Sequence, residues 1–242
     1  MRRGPDGPRR AAAALAALLL AAPAAAECRL ALSLGLDVSS SVDAREYRLQ
    51  TAGLAAALMA PEVQEAFLAA PGRPVMLHVF EWSGWQQQAD RLGWTAIERP
   101  DDLAGVAARL AGQGRSFEQY PTALGNALLY GARALAHRGD CARRTLDVSG
   151  DGTNNDGLAP ELARRDPGLA GVTINGLVIG ANIATLGRYY QQFVVQGPGS
   201  FVESAGDYQG FQRAMRRKLL RELGVIEISG APGPAPGWRR PW

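Results

Sequence analysis

Short apolar runs that alternate with stretches of helical periodicity constrain the fold of this chain most strongly. Runs at residues 28–36, 75–82 and 172–179 place apolar side chains on both faces of an extended strand. Such strands are typical of a parallel sheet that is covered by helices on its two sides. With right-handed crossovers, the pattern predicts an α/β fold: a doubly wound, mostly parallel sheet with helices on both faces.

The remaining elements follow from capping residues, glycine, proline and hydrophobic periodicity. We predict an edge strand within residues 86–97 and further strands at 144–148 and 200–203. The predicted helices cover residues 44–59, 61–70, 101–112, 122–137, 161–165, 183–193 and 208–223. Five basic residues of the last helix are expected to form a solvated face: Arg213, Arg216, Arg217, Lys218 and Arg221.

Residues 1–26 have the pattern of a secretory signal peptide. Four arginines lie within residues 1–10, a run of Ala and Leu follows at 11–20, and three alanines end the segment. We expect this segment to be cleaved, and a retained N-terminal helix is the alternative. The protein is then periplasmic or secreted, with no stable membrane insertion after cleavage. One folded domain, residues 27–226, and a Pro/Gly-rich disordered tail, residues 227–242, complete the predicted organisation.

The net charge of the chain belongs to this predicted export signal. The whole sequence has a formal charge of +3, and residues 1–26 hold four arginines and one aspartate, which account for all of it. The remaining chain is therefore formally neutral. A neutral chain gives no electrostatic basis for binding nucleic acid or an anionic membrane, and neither is an expected partner.

Hydroxyl and carboxylate side chains collect in three loops at the expected carboxyl edge of the sheet. Asp37, Ser39 and Ser41 follow the first strand, Thr122 opens a helix, and Asp151 follows the strand at 144–148. Ligand sites of doubly wound sheets form at this edge. Oxygen donors of this kind suit a hard divalent cation. Two carboxylates at most balance the ion. If they act largely through water, the ion keeps attraction for one further anion, and an Asp or Glu of a protein partner would complete it.

The segment DVSSS at residues 37–41 resembles the D-x-S-x-S signature of von Willebrand factor A domains, which forms their metal-ion-dependent adhesion site. Thr122 in YPTALGNAL and Asp151 in SGDG match the family's second and third elements. The resemblance implies Ser39, Ser41 and Thr122 as oxygen donors to Mg²⁺, with Mn²⁺ or Ca²⁺ as alternatives. Asp37 and Asp151 would lie nearby, often acting through water.

This resemblance spans residues 28–223 and implies a von Willebrand factor A-like domain at 27–226. The sequence is also similar to an exported bacterial family of unknown function. Two alternatives stay open at the site. Asp37 and the serines could simply cap the first helix. Gly150 can shift the following loop by one residue, which makes Asp147 a weaker rival of Asp151, since Asp147 lies inside an apolar strand.

Cys28 and Cys141, the two cysteines of the chain, are candidates for one disulfide after export, and two free thiols are the alternative. In the fold that the resemblance implies, their strands are adjacent and parallel. Both cysteines then fall at matched depth at the edge opposite the metal, which favours a Cys28–Cys141 bridge.

Signals of catalysis are weak, and we do not expect an enzyme. The sequence has no G-x-S-x-G elbow and no phosphate-binding G-x-x-x-x-G-K-[ST] loop, and His78 and His137 are expected to be structural or solvated. The leading hypothesis is an exported, metal-dependent protein-binding module of the adhesion type. The alternative is a metal-dependent hydrolase whose ion activates water, with Asp151 or Asp156 as base. A structural protein with an empty, degenerate site is the third possibility.

Overall fold

The computed structural model describes residues 27–224, which form a three-layer α/β domain. Its strands are β1 (Leu30–Asp37), β2 (Val75–Trp82), β3 (Gln88–Ile97), β4 (Arg144–Gly150), β5 (Val172–Ile179) and β6 (Val202–Ala205). They form one sheet in the order β3-β2-β1-β4-β5-β6. All neighbouring pairs are parallel except β2 and β3, which pair antiparallel at one edge. The predicted doubly wound fold is confirmed.

Helices cover both faces of this sheet. They are α1 (Ala44–Leu58), α2 (Pro61–Leu68), α3 (Pro100–Gly112), α4 (Leu124–Ala136), α5 (Pro160–Ala163), α6 (Ile183–Phe193) and α7 (Phe211–Glu222), with a 3-10 turn at Pro167–Leu169. Helices α1, α2, α3 and α7 pack on one face, and α4, α5 and α6 pack on the other. All eight residues of β1 are buried, as expected for a central strand that is covered on both sides.

Helix α1 begins at Ala44, directly after its capping residue Asp43. The side chain of Asp43 accepts hydrogen bonds from the backbone N–H groups of Arg45 and Glu46, and Glu46 returns one to the backbone of Asp43. This reciprocal pair is a capping box, which satisfies N–H groups that have no partner inside the helix. The chain is therefore turned sharply at the carboxyl end of β1, directly after the DVSSS segment.

Several predicted boundaries were wrong by a few residues; strand β4, for example, ends at Gly150 rather than residue 148. Helix α4 begins at Leu124 rather than Thr122, because the carbonyl oxygen of Thr122 accepts from Asn155 and Asp156 instead of a following helical turn. Strand β6 lies two residues later than expected, where it pairs with the end of β5. Helix α7 begins at Phe211 rather than residue 208.

Lys218 corrects the expectation that the basic residues of the last helix are solvated. Its side chain is fully buried, and its Nζ lies 2.9 Å from Asp147 and 2.6 Å from Glu222. Glu222 also accepts a hydrogen bond from Asn175 on β5. The two carboxylates compensate the buried ammonium group, which could not remain charged in the core without them.

A disulfide joins Cys28 to Cys141, with their Cα atoms 4.5 Å apart, and this prediction is confirmed. The bridge lies at the amino edge of the sheet, just before β1 and β4. Among residues 27–224, no helix is both long and apolar enough to span a membrane. The predicted signal peptide at 1–26 and the predicted tail at 227–242 lie outside the described residues.

Candidate metal centre

The sheet order places the candidate site at the centre of its carboxyl edge. Strand β1 pairs with β2 on one side and with β4 on the other, so the order reverses between β1 and β4. The crossover connections leave a crevice at such a reversal, and this is where doubly wound sheets bind ligands. The loops after β1 and β4 carry the predicted site residues to this point.

Four of the five predicted residues form one hydrogen-bonded group. Oδ1 of Asp37 accepts from the backbone N–H of Ser39 at 2.7 Å, and the hydroxyls of Ser39 and Ser41 are 3.1 Å apart. The hydroxyl of Ser41 donates to Oδ1 of Asp151 at 2.6 Å, which links the β1 loop to the β4 loop. Tyr208 donates to the other oxygen of Asp151 at 3.4 Å.

Thr122, the fifth residue, is held in the neighbouring loop by Asn155. The backbone N–H of Thr122 donates to Oδ1 of Asn155 at 2.8 Å, and the N–H of Asn155 donates back to the carbonyl oxygen of Thr122. The threonine hydroxyl faces the loop after β4, since a Cβ at Gly152 would lie 3.9 Å from it. The structure therefore brings Thr122 beside Gly152, the residue that follows Asp151 in the chain.

Arg115 fixes the shape of the DVSSS loop from a distant segment. Its guanidinium donates to the carbonyl oxygens of Val38, Ser39 and Val42, at 2.8 Å for the last two. On the other side of the loop, the backbone N–H of Ser40 donates to the carbonyl of Tyr120 at 2.8 Å. These contacts hold the two serine hydroxyls in position and add a positive charge behind the loop.

Asp37 is a buried carboxyl group with an incomplete set of partners. It is fully inaccessible to solvent, and its Oδ2 has no hydrogen-bond partner among the described residues. Burial and repulsion by Asp151 raise the pKa of Asp37 to about 7, against the opposing effects of the Ser39 hydrogen bonds and Arg115. A cation placed between Asp37 and Asp151 would favour the ionised carboxylate and so lower the pKa of Asp37 against both effects.

Asp147, the rival of Asp151, faces away from this group. It lies within β4 and is paired with Lys218 under helix α7, whereas Asp151 contacts Ser41 directly. The second predicted alternative, helix capping by Asp37 and the serines, also differs from the geometry. Asp43 caps α1, and Oδ1 of Asp37 bonds Ser39 within the loop.

A serine–histidine–aspartate chain crosses the sheet, far from this edge. Ser33 and His78 are 2.8 Å apart, and His78 and Asp90 are 2.9 Å apart. Ser33 is fully buried in the middle of β1, so its hydroxyl has no access for a substrate. Burial lowers the pKa of His78. The prediction of a structural role for His78 agrees with these contacts.

Sequence reasoning missed three residues that shape the site: Arg115, Tyr208 and Tyr190. Arg115 and Tyr208 reach it from loops without a sequence signature. Tyr190 had a detectable signal, because it follows Leu186 by four residues and so shares the buried face of α6. Nothing in the sequence indicated that its hydroxyl would end near Asp37.

The fold is similar to that of solved von Willebrand factor A proteins. One similar solved structure is proximal thread matrix protein 1 from the mussel byssus, with zinc at its metal-ion-dependent adhesion site. It is 15% identical, with a TM-score of 0.59, and the alignment covers 82% of this chain and 46% of that chain. A von Willebrand factor type A protein from Catenulispora acidiphila is 14% identical, with a TM-score of 0.58 and coverages of 81% and 43%.

The pilus adhesin SpaC from Lactobacillus rhamnosus GG has the same fold at 11% identity, with a TM-score of 0.60 and coverages of 82% and 31%. This chain thus spans less than half the length of these solved proteins. No curated protein matches it in sequence. The chain belongs to the family described as protein of unknown function (DUF1194), whose profile matches residues 27–227.

Proposed function

We propose that this protein is an exported, metal-dependent protein-binding module of the adhesion type. Ser39, Ser41 and Thr122 would supply hydroxyl oxygens to a divalent cation, with Asp37 and Asp151 balancing its charge. The observation that carries the proposal is the buried carboxyl group of Asp37, which lies near a second carboxylate, Asp151, and which no cation of the described residues contacts. A buried carboxylate that lacks a protein cation is costly unless a bound cation compensates it.

The donor set fits a hard cation. All five side chains offer oxygen, which suits Mg²⁺, Mn²⁺ and Ca²⁺, whereas structural zinc sites are commonly built from cysteine and histidine. The mussel protein holds zinc at the corresponding motif, so that site accepts a divalent cation. We favour Mg²⁺ for this chain because three neutral hydroxyls and two carboxylates leave room for the waters that Mg²⁺ retains.

The proposed partner is a protein that presents an Asp or Glu to the ion. The hydroxyl donors are neutral and the two carboxylates would act largely through water, so the cation keeps attraction for one further anion at the exposed side of the site. Tyr120 and Trp85, which are 42% and 55% exposed, lie in the loops beside Thr122. Exposed aromatic residues next to a charged site are frequent anchors of protein interfaces, which supports a protein as the partner.

Export is part of the same proposal. The basic and apolar pattern of residues 1–26 motivates it. The Cys28–Cys141 bridge supports it as well, because disulfides persist mainly in oxidising compartments such as the periplasm or the extracellular space.

The metal is tested by calorimetric titration of the purified protein with Mg²⁺ and Mn²⁺. We expect one ion per chain for the wild type and no measurable binding for Asp37→Ala. Asp101→Asn is a matched control, because Asp101 is an exposed carboxylate on α3, away from the site. Equal affinity in the wild type and Asp37→Ala would refute the assignment of the site.

The partner is tested by affinity capture from the cell-envelope fraction. A true partner should be retained by the wild type with Mg²⁺, released by a chelator, and retained again when Mg²⁺ is restored. It should not be retained by Asp37→Ala. Proteins that bind equally in the presence of chelator would contradict an interaction that passes through the ion.

The hydrolase alternative has no supporting geometry. Asp156, one of the two carboxylates offered as a base, accepts the backbone N–H of Trp85 at 2.9 Å. Asp151, the other, is occupied by the hydroxyls of Ser41 and Tyr208. The similar solved structures include a byssus matrix protein and a pilus adhesin. The contacts of the two carboxylates and the similar solved structures both favour binding over catalysis.

A further inference from the structure

Three buried polar atoms behind the proposed metal site have no hydrogen-bond partner among the described residues. They are Oδ2 of Asp37, the hydroxyl of Tyr190 and Nε1 of Trp82. All three side chains are completely buried, and they come from β1, α6 and β2. Unpaired buried polar atoms are uncommon in folded proteins, and three in one place call for a common explanation.

Gly150, the last residue of β4, marks the point where these side chains converge. A Cβ atom at Gly150 would lie 2.8 Å from the hydroxyl of Tyr190, 2.9 Å from Oδ2 of Asp37 and 3.4 Å from the ring of Trp82. Gly150 has an ordinary strand conformation, so glycine is not needed here for its backbone freedom. Glycine is needed because a Cβ atom at this position would press against the hydroxyl of Tyr190 and the carboxylate of Asp37.

The chemistry of the three groups is complementary. The indole N–H of Trp82 can only donate, and a tyrosine hydroxyl can donate, whereas an ionised carboxylate can only accept. Burial and the nearby carboxylates of Asp37 and Asp151 raise the pKa of Tyr190 well above its ordinary value, so its hydroxyl keeps its proton. One water molecule that accepts from Tyr190 and Trp82 and donates to Asp37 would satisfy all three atoms, the usual number of bonds for a buried water.

We propose that Tyr190, with Trp82, is a positioning residue for Asp37, acting through one buried water that bridges the three side chains. The inference rests on the proposed metal site and adds the residues that hold Asp37 from behind. The water donates a hydrogen bond to Oδ2 of Asp37 and so restricts the orientation of the carboxylate. Asp37 is then held in the orientation that the cation requires.

Tyr190→Phe tests this role, because it removes the hydroxyl and keeps the ring that packs in the core. We expect the dissociation constant for Mg²⁺ to rise about tenfold, as is typical when a group behind a metal ligand is removed. The melting temperature without metal should not fall, whereas its increase on adding Mg²⁺ should shrink. Tyr130→Phe is the control: its hydroxyl donates to Asp90 at 2.7 Å, away from the site, and its loss should leave Mg²⁺ affinity unchanged.

The outcomes separate this inference from the proposed function. If the wild type binds Mg²⁺ and Tyr190→Phe binds it equally well, the positioning role is wrong and the metal site stands. If Tyr190→Phe lowers the melting temperature without metal and leaves the Mg²⁺-induced shift intact, Tyr190 is purely structural and the inference is overturned. If the wild type binds neither Mg²⁺ nor Mn²⁺, both proposals fail.

A crystal structure with Mn²⁺ gives a second, direct measurement. We expect an ordered water within hydrogen-bond distance of the hydroxyl of Tyr190 and of Oδ2 of Asp37. A well-ordered site without that water would overturn the inference, whatever the affinity of the Tyr190 variant.

Discussion

Asp37 and Asp147 lie on the neighbouring central strands β1 and β4, and both are completely buried. Burial raises the pKa of each carboxyl group to about 7. Asp147 has a cation of the protein beside it, because Nζ of Lys218 is 2.9 Å away. Asp37 has none in contact: Arg115 binds the carbonyl oxygens of its loop instead of its carboxylate.

We interpret this difference as a structural charge at Asp147 and a proposed binding charge at Asp37, three residues of strand further toward the carboxyl edge. In the interior the chain supplies Lys218, and the cluster with Glu222 and Asn175 is closed to solvent. At the carboxyl edge the described side chains around Asp37 offer oxygen atoms, and we propose that the cation there comes from solution. Removing a cation should therefore destabilise the interior cluster, whereas removing Asp37 should affect ligand binding.

The largest effect is expected for Lys218→Met, which leaves Asp147 and Glu222 buried without their cation. Removing one partner of a buried ion pair costs about 3–5 kcal/mol of stability. Urea unfolding measures the loss. Arg217→Met is the matched control on the same helix, since its ion pair with Glu203 is half exposed and should contribute about 1 kcal/mol or less. Similar losses for both variants would contradict a special role of the interior cluster.

The second prediction concerns the response of stability to metal. At a Mg²⁺ concentration 100 times its dissociation constant, the wild type should gain about 2.7 kcal/mol of unfolding free energy. Asp37→Asn should gain nothing, and without metal it should be no less stable than the wild type at neutral pH, because burial disfavours the charged carboxylate. A clear loss of metal-free stability in Asp37→Asn would mean that Asp37 is structural, as Asp147 is.

Thr122→Val is expected to have an intermediate effect, which is confined to Mg²⁺ binding at the carboxyl edge. Valine keeps the shape of the side chain and removes the oxygen that we propose as a ligand, so Mg²⁺ affinity should fall by about tenfold or more. Thr145→Val is the control, because Thr145 is also buried but lies at the opposite end of β4. Calorimetric titration of both variants checks the expectation, and equal affinities would remove Thr122 from the ligand set.

The smallest effect is a change in the pH dependence of stability at the interior cluster. Burial raises the pKa of Asp147 to about 7, from an unfolded value of about 3.9. The folded protein therefore holds this proton more tightly, and the resulting stability is fully present below about pH 4 and is lost as the pH rises to 7. A proton on Asp147 leaves one cation, Lys218, facing one anion, Glu222.

Asp147→Asn removes this titration while keeping the shape of the side chain. The stability of the wild type relative to Asp147→Asn should be greater at pH 5 than at pH 8, as measured by urea unfolding. A difference between the two proteins that stays constant with pH would show that Asp147 is ionised throughout.

The sequence predicted the secondary-structure elements and the grouping of the site residues for different reasons. The bounds of β2, β5 and α6 were correct because continuous apolar runs and helical spacing are local signals. The grouping of Asp37, Ser39, Ser41 and Asp151 followed from the resemblance to von Willebrand factor A domains, together with the rule that doubly wound sheets bind ligands at the carboxyl ends of their strands.

The residues that the sequence did not place act over long distances in the chain. Arg115 reaches the carbonyl oxygens of the first loop from more than 70 positions away. Lys218 looked like part of a basic surface, although its spacing from Phe211, Met215 and Glu222 puts it on the apolar face of α7. The prediction considered the number of basic residues in the helix and not their positions around its axis, which would have shown that Lys218 is buried.

The covalent bond between Cys28 and Cys141 has a consequence for the opposite edge of the sheet. It fastens together the same two strands, β1 and β4, whose far ends carry Asp37 and Asp151. A slip of one strand by a single residue would turn every side chain to the other face. With the strands joined at their starting ends, we expect the spacing of the two carboxylates to be set before the proposed ion binds, so that binding requires little rearrangement of the backbone.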